Sequence, residues 1–145
     1  MKTRILHLLA LTLMGTANLW AQQALSGGHT LKGVWQQVQT SSKSQRVMRL
    51  PVWKVLQGDG SFCTFLIGNE AGLSIITNQG RYEPLSDSTY VEYITGSITD
   101  PNLVGKSNTL RFRMSGPDTM HVRYRVPGAS RDGKETWVRV KLQKP

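Results

Sequence analysis

The chain has 145 residues, 39% hydrophobic and 19% charged, with 18 lysines and arginines against nine acids and a formal net charge of +9. That is one domain's length, enough to bury a core without staples, and staples are excluded because Cys63 is the only cysteine. The basic balance suits acidic partners.

The first 21 residues read as a cleaved signal peptide. Lys2 and Arg4 make a positive start, and Ile5 to Met14 is an apolar run too short for a lasting membrane span. Ala21 offers a cleavage point, although Leu19 and Trp20 before it are bulky and leave the exact site open. The competing reading is an uncleaved anchor. Lipid attachment is excluded, since no cysteine lies nearby. Export to the periplasm or the extracellular space is therefore expected. Removing the segment leaves 124 residues and a net charge of +7, because it carries two basic residues and no acid.

Residues 22–30 hold Ser26-Gly27-Gly28 and no apolar period, as in a flexible leader, so the folded domain is expected over 31–145. The first strand is predicted near Leu31 to Gln39, with Gly33, Trp35 and Gln37 on one side. A polar loop over Thr40 to Gln45 follows. Val52 to Gln57 and Ser61 to Ile67 flank Gly58-Asp59-Gly60, a strong hairpin signal. Pairing Gln57 with Ser61 sets Trp53 opposite Phe65 and Val55 opposite Cys63 on a predicted inner face. Lys54 and Thr64 then fall outside, and Leu56 and Phe62 interrupt that outer face. Cys63 reads as a small buried hydrophobe.

Leu73 to Thr77 is predicted as a short strand. A second hairpin joins Gly80 to Leu85 with Ser88 to Thr95, placing Tyr82, Val91 and Tyr93 on one face and Arg81 and Glu92 on the other. The long Gly96 to Ser107 connection is expected to form a lid or mouth element. Leu110, Phe112 and Met114 alternate with Arg111 and Arg113. After Gly116-Pro117-Asp118, Met120, Val122, Tyr124 and Val126 alternate with His121, Arg123 and Arg125. Pairing Met114 with Met120 keeps the apolar residues together. Glu135 to Leu142 closes the chain with Trp137 and Arg139. No stretch after the signal has a helical period. Eight or nine short strands joined by hairpins predict an all-β, single up-and-down antiparallel barrel, whose closure removes free edges.

Gly33-x-Trp35 on the first strand and Trp137-x-Arg139 on the last resemble the pair that closes lipocalin-type barrels, where a tryptophan packs under an arginine. Such a cation–π contact contributes about 0.5–2 kcal/mol. More closely, Gly33-Val34-Trp35, Lys54-Val55-Leu56 into Gly58-Asp59-Gly60-Ser61-Phe62, Arg81-Tyr82-Glu83 into Ser86-Asp87-Ser88-Thr89-Tyr90-Val91-Glu92, and Glu135-Thr136-Trp137-Val138-Arg139-Val140 are similar to a lipocalin-like (calycin-type) domain family of unknown function secreted by Bacteroidetes. The resemblance implies a lipocalin-like fold and export. It supplies no catalytic residues, and the paired cysteines of many animal lipocalins are missing here.

Chemistry-bearing patterns are sparse. His7 and His29 precede the domain, leaving His121 beside Arg123 and Arg125 as a solvated position. No metal-ligand spacing, nucleophile elbow or phosphate loop occurs, so no metal, cofactor or enzyme activity is expected. The arginines Arg111, Arg113, Arg123 and Arg125 are candidate anion binders. Arg111 faces Arg123, which costs stability unless Glu83, Glu92, water or an anion offsets it. They form either an outward basic stripe or, with one or two turned inward, a carboxylate clamp. The predicted cup lining is Trp53, Phe65, Tyr82, Tyr93, Phe112, Met114, Met120 and Tyr124.

The first functional expectation is an exported barrel holding a small apolar or amphipathic molecule in that cup. The second is a non-enzymatic interaction domain whose basic outer face takes an acidic glycan, lipid headgroup or protein, with nucleic acid disfavoured by location. An enzyme would require a carboxylate or tyrosine pair inside the cup.

Overall fold

Short runs rich in β-branched and aromatic residues settle on a pleated surface, and the Gly, Pro, Asp and Ser between them reverse the chain. The computed structural model describes residues 30–68, 72–125, 131–141 and 143, so the segment expected to be a signal peptide and most of the expected leader lie outside the described residues. Eight strands form: β1 (Gly33–Thr40), β2 (Val47–Leu56), β3 (Ser61–Ile67), β4 (Ser74–Pro84), β5 (Thr89–Ser97), β6 (Ser107–Ser115), β7 (Thr119–Tyr124) and β8 (Gly133–Arg139). Each pairs antiparallel with the next and β8 returns to β1, giving a closed up-and-down barrel.

The β2–β3 turn shows how local chemistry sets register. Asp59 Oδ1 accepts from the Ser61 backbone N–H and hydroxyl at 2.8 and 2.7 Å, and Gly60 takes φ +80°. Trp53 then faces Phe65, and Val55 faces Cys63. In β6–β7, Arg111 faces Arg123 and Met114 faces Met120. The two short runs expected over 73–85 are one strand, β4. Register shifts at Thr64/Phe65 and Gln79/Gly80 absorb the irregularity that the pattern suggests as a break.

The core cluster includes Leu31, Trp35, Leu56, Phe62, Tyr90, Leu110, Phe112, Met120, Val122 and Trp137, with Tyr82, Met114 and Tyr124 packed against it. One register reading is corrected here. Lys54, Leu56, Phe62 and Thr64 are buried, and their neighbours Trp53, Val55, Cys63 and Phe65 take the outer face. Strand pairing sets which residues oppose each other, but not which face is inside. Trp53 and Phe65 instead meet outside the barrel, ring centroids 6.2 Å apart. Cys63 is half-buried there, and burial pushes its thiol pKa up. Likewise Tyr82 pairs with Glu92 on the inner face, while Tyr93 pairs with Arg81 outside and is 45% exposed.

The end where β1 starts is plugged. Trp35 is fully buried and donates its Nε1–H to the Leu31 carbonyl at 2.9 Å. The Arg139 guanidinium lies 4.2 Å from the Trp35 ring and donates to the carbonyls of Lys32, Thr30 and Pro117 at 2.6, 2.7 and 3.2 Å. Gly33 (φ +150°) is needed there, since a Cβ would collide with Arg139 Nη1. Thr30 to Lys32 thus belong to the barrel's floor. At the opposite end, the β5–β6 connection forms a 3-10 turn over Pro101–Leu103, capped by Asp100, and Leu103 packs onto the core.

Candidate functional site

Two constellations stand out, one inside the barrel and one on its wall. Inside, Lys54 of β2 reaches across the lumen to Glu92 of β5 at 2.7 Å, and the two residues are only 4% and 6% exposed. The Lys54 ammonium also lies 5.2 Å from the Trp137 ring centroid. Burial alone would pull its pKa down; the Glu92 carboxylate, with Tyr90 and Glu135 behind it, reverses that and holds the ammonium above the ordinary lysine value.

Glu135 of β8 points into the same space. It accepts from the Tyr124 hydroxyl and the Trp137 indole N–H, both at 2.9 Å. Burial and the Glu135 charge push the Tyr124 pKa to about 12. Tyr90, fully buried beside this group, has a hydroxyl without a hydrogen-bond partner among the described residues. Burial raises its pKa, Lys54 opposes the rise, and Glu92 and Glu135 add to it. This is a polar cluster of two carboxylates, an ammonium and two phenols, buried at Lys54, Glu92 and Tyr90 and half-buried at Tyr124 and Glu135. Sequence reasoning missed it. The available signal was the phase of β2, where Lys54 shares a face with Val52 and Leu56.

Eight residues were expected to line the cup. Tyr82, Phe112, Met114, Met120 and Tyr124 face inward, whereas Trp53, Phe65 and Tyr93 do not. Trp137 sits in mid-lumen over Lys54, and Trp35 with Arg139 forms the plug.

On the wall, the outward residues of β6, β7 and β8 form a lattice. Arg111, Arg123 and Lys134 are cross-strand neighbours in one row, and Arg113, His121 and Thr136 in the next. With Phe112, Val122 and Glu135 they line a concavity of about 440 Å³. His121 Nδ1 lies 3.2 Å from Thr136 Oγ1. None of Arg111, Arg113, Arg123 or Lys134 has an ion-pair partner among the described residues. Glu92 and Glu83, expected to offset them, are occupied elsewhere: Glu92 inside on Lys54, and Glu83 beside the Tyr93 hydroxyl at 3.4 Å. Arg125 stands apart from the lattice and pairs with Asp132 at 2.7 Å. Four cations on neighbouring strands, with donors all facing one way, can hold several oxyanion groups at once.

Residues 30–145 match DUF4488, a domain of unknown function. The chain belongs to that family. No curated protein matches it. For this DUF4488 barrel, the wall lattice and the lumen cluster are the two places where chemistry is concentrated.

Proposed function

We propose that this protein is an exported, lipocalin-like binding domain whose basic wall over β6–β8 takes a polyanionic ligand, one carrying several carboxylate, sulfate or phosphate groups. The observation that carries this reading is the row of Arg111, Arg123 and Lys134 beside Arg113, none with an ion-pair partner among the described residues. Like charges directly opposed across strands cost stability. A ligand anion relieves that cost, and guanidinium groups bind oxyanions with two parallel hydrogen bonds. Export rests on residues 1–21, and the lipocalin-like kinship rests on the motifs around Gly33, Trp35, Trp137 and Arg139.

Calorimetric titration with heparin (sulfate), alginate (carboxylate) and inorganic polyphosphate (phosphate) separates the three sources. Binding that weakens steadily with salt, and by roughly tenfold or more in Arg111→Ser/Arg123→Ser, supports the reading. Unchanged affinity in that variant overturns it.

A small molecule held in the lumen is the second reading, favoured by the buried Tyr90 hydroxyl, which meets no hydrogen-bond partner among the described residues. The polar lining calls for an amphipathic ligand rather than a purely apolar one. Tryptophan fluorescence that stays unchanged across a broad lipid panel disposes of it.

A further inference from the structure

The exposed apolar side chains are segregated. Among the described residues, eight of the ten large ones lie at the end of the barrel opposite the Trp35–Arg139 plug. Val47 and Met48 open β2, Leu66, Leu73, Ile75 and Ile76 surround the β3–β4 hairpin, and Ile98 and Val104 lie in the β5–β6 connection. Leu85 and Tyr93 are the exceptions. A closed up-and-down barrel gathers the β1–β2, β3–β4 and β5–β6 connections at one end, so these residues form a crown. Monomeric proteins seldom expose apolar side chains in such a concentration without using them.

The charge around the crown says what it meets. Lys43 and Arg46 lie in the β1–β2 connection, Arg49 near the start of β2, and Lys106 just before β6, all exposed. None of the four has an ion-pair partner among the described residues. Asp100, in the same region, is engaged in capping the 3-10 turn. Apolar tips interleaved with cations match the interface of an anionic bilayer, where side chains enter the acyl boundary and ammonium or guanidinium groups stay among lipid phosphates.

We propose that this crown docks the barrel, plug outward, on the surface of a membrane containing anionic lipid. The surface is distinct from the β6–β8 wall. The proposal therefore stands independently of polyanion binding there.

Sedimentation with phosphatidylcholine vesicles, with and without phosphatidylglycerol, tests it. Leu73→Glu/Ile98→Glu is the informative variant, because those side chains are 71% and 61% exposed and their loss leaves the core intact. Leu85→Glu, 53% exposed at the plugged end, is the matched control. The expected result is binding that needs phosphatidylglycerol, falls roughly tenfold or more in the double variant and is unchanged in Leu85→Glu. Arg46→Gln and Lys106→Gln should each weaken it roughly fivefold. Arg111→Ser/Arg123→Ser should retain it. Equal binding by the crown variant and the original, or no binding to either vesicle, overturns the proposal. So does a dimer in solution that Leu73→Glu/Ile98→Glu converts to monomer, since a second copy would then be the crown's occupant.

Discussion

Replacing Lys54 by methionine removes the cation from a site where Glu92 is almost fully buried. Methionine is close to lysine in length and keeps the contact with Trp137, so the change isolates the charge. Glu92 is then left without its 2.7 Å partner and with Glu135 in the same lumen. Removing one member of a buried pair costs about 3–5 kcal/mol. At about 4 °C per kcal/mol for a domain of this size, the midpoint of thermal unfolding should fall by roughly 12–20 °C. The double variant Lys54→Met/Glu92→Leu exchanges both charges for apolar groups of similar volume, and should lie within about 1 kcal/mol of the original protein or above it. Urea denaturation of the original protein, both single variants and the double variant gives the coupling directly. A loss under about 1 kcal/mol in Lys54→Met, or a double variant as unstable as the sum of the singles, refutes the reasoning. The pH dependence has a definite sign. Folding raises the Lys54 pKa, so its contribution is complete below the unfolded lysine value near 10.4 and disappears only as pH climbs beyond that through the folded value.

Other expectations follow from the same geometry. Arg111→Thr/Arg123→Thr should raise stability by about 0.2–1 kcal/mol per opposed pair relieved while lowering affinity for heparin, read by chemical denaturation and calorimetry. Equal stability and equal affinity would leave the opposed arginines without consequence. Gly33→Ala should destabilise by about 1–3 kcal/mol, because the backbone is strained there and the new Cβ displaces Arg139; the near-UV circular dichroism of Trp35 should change with it. Tyr90→Phe should be neutral or slightly stabilising in denaturant melts, since it deletes a buried hydroxyl with no partner among the described residues; a loss above about 1 kcal/mol would mean the hydroxyl is engaged. Cys63 should react with a disulfide reagent at neutral pH more slowly than free cysteine, since burial raises its pKa; a rate equal to that of free cysteine would contradict this.

Much of the fold was legible because hairpins are local. The three-residue loop at Gly58-Asp59-Gly60 and the alternation around Gly116-Pro117-Asp118 each carry their own register, and the observed pairings of Trp53 with Phe65 and Met114 with Met120 need nothing from elsewhere in the chain. The wall lattice was legible for the same reason: once Met114 meets Met120, Arg111 must meet Arg123. Lys134 and Thr136 join it only through β8, whose pairing with β7 follows a connection that sets no register in the sequence.

Facing was a different matter. β2 and β3 are apolar on both sides, so alternation alone favours the aromatic pair Trp53 and Phe65 as the inner face. Lys54 turns inward because Glu92, 38 residues later, waits across the lumen, and Leu56 and Phe62 turn with it to fill the core. By itself the sequence determined strand number to within one, strand order and most of the cross-strand pairing, since these rest on turns and on neighbours a few residues apart. Only the tertiary structure decided which wall of the β2–β3 hairpin faces the lumen, and with it the polar lumen cluster around Lys54 and the crown of exposed apolar residues. Those depend on what a side chain meets across a closed barrel, a contact between segments far apart in the chain that no local pattern encodes.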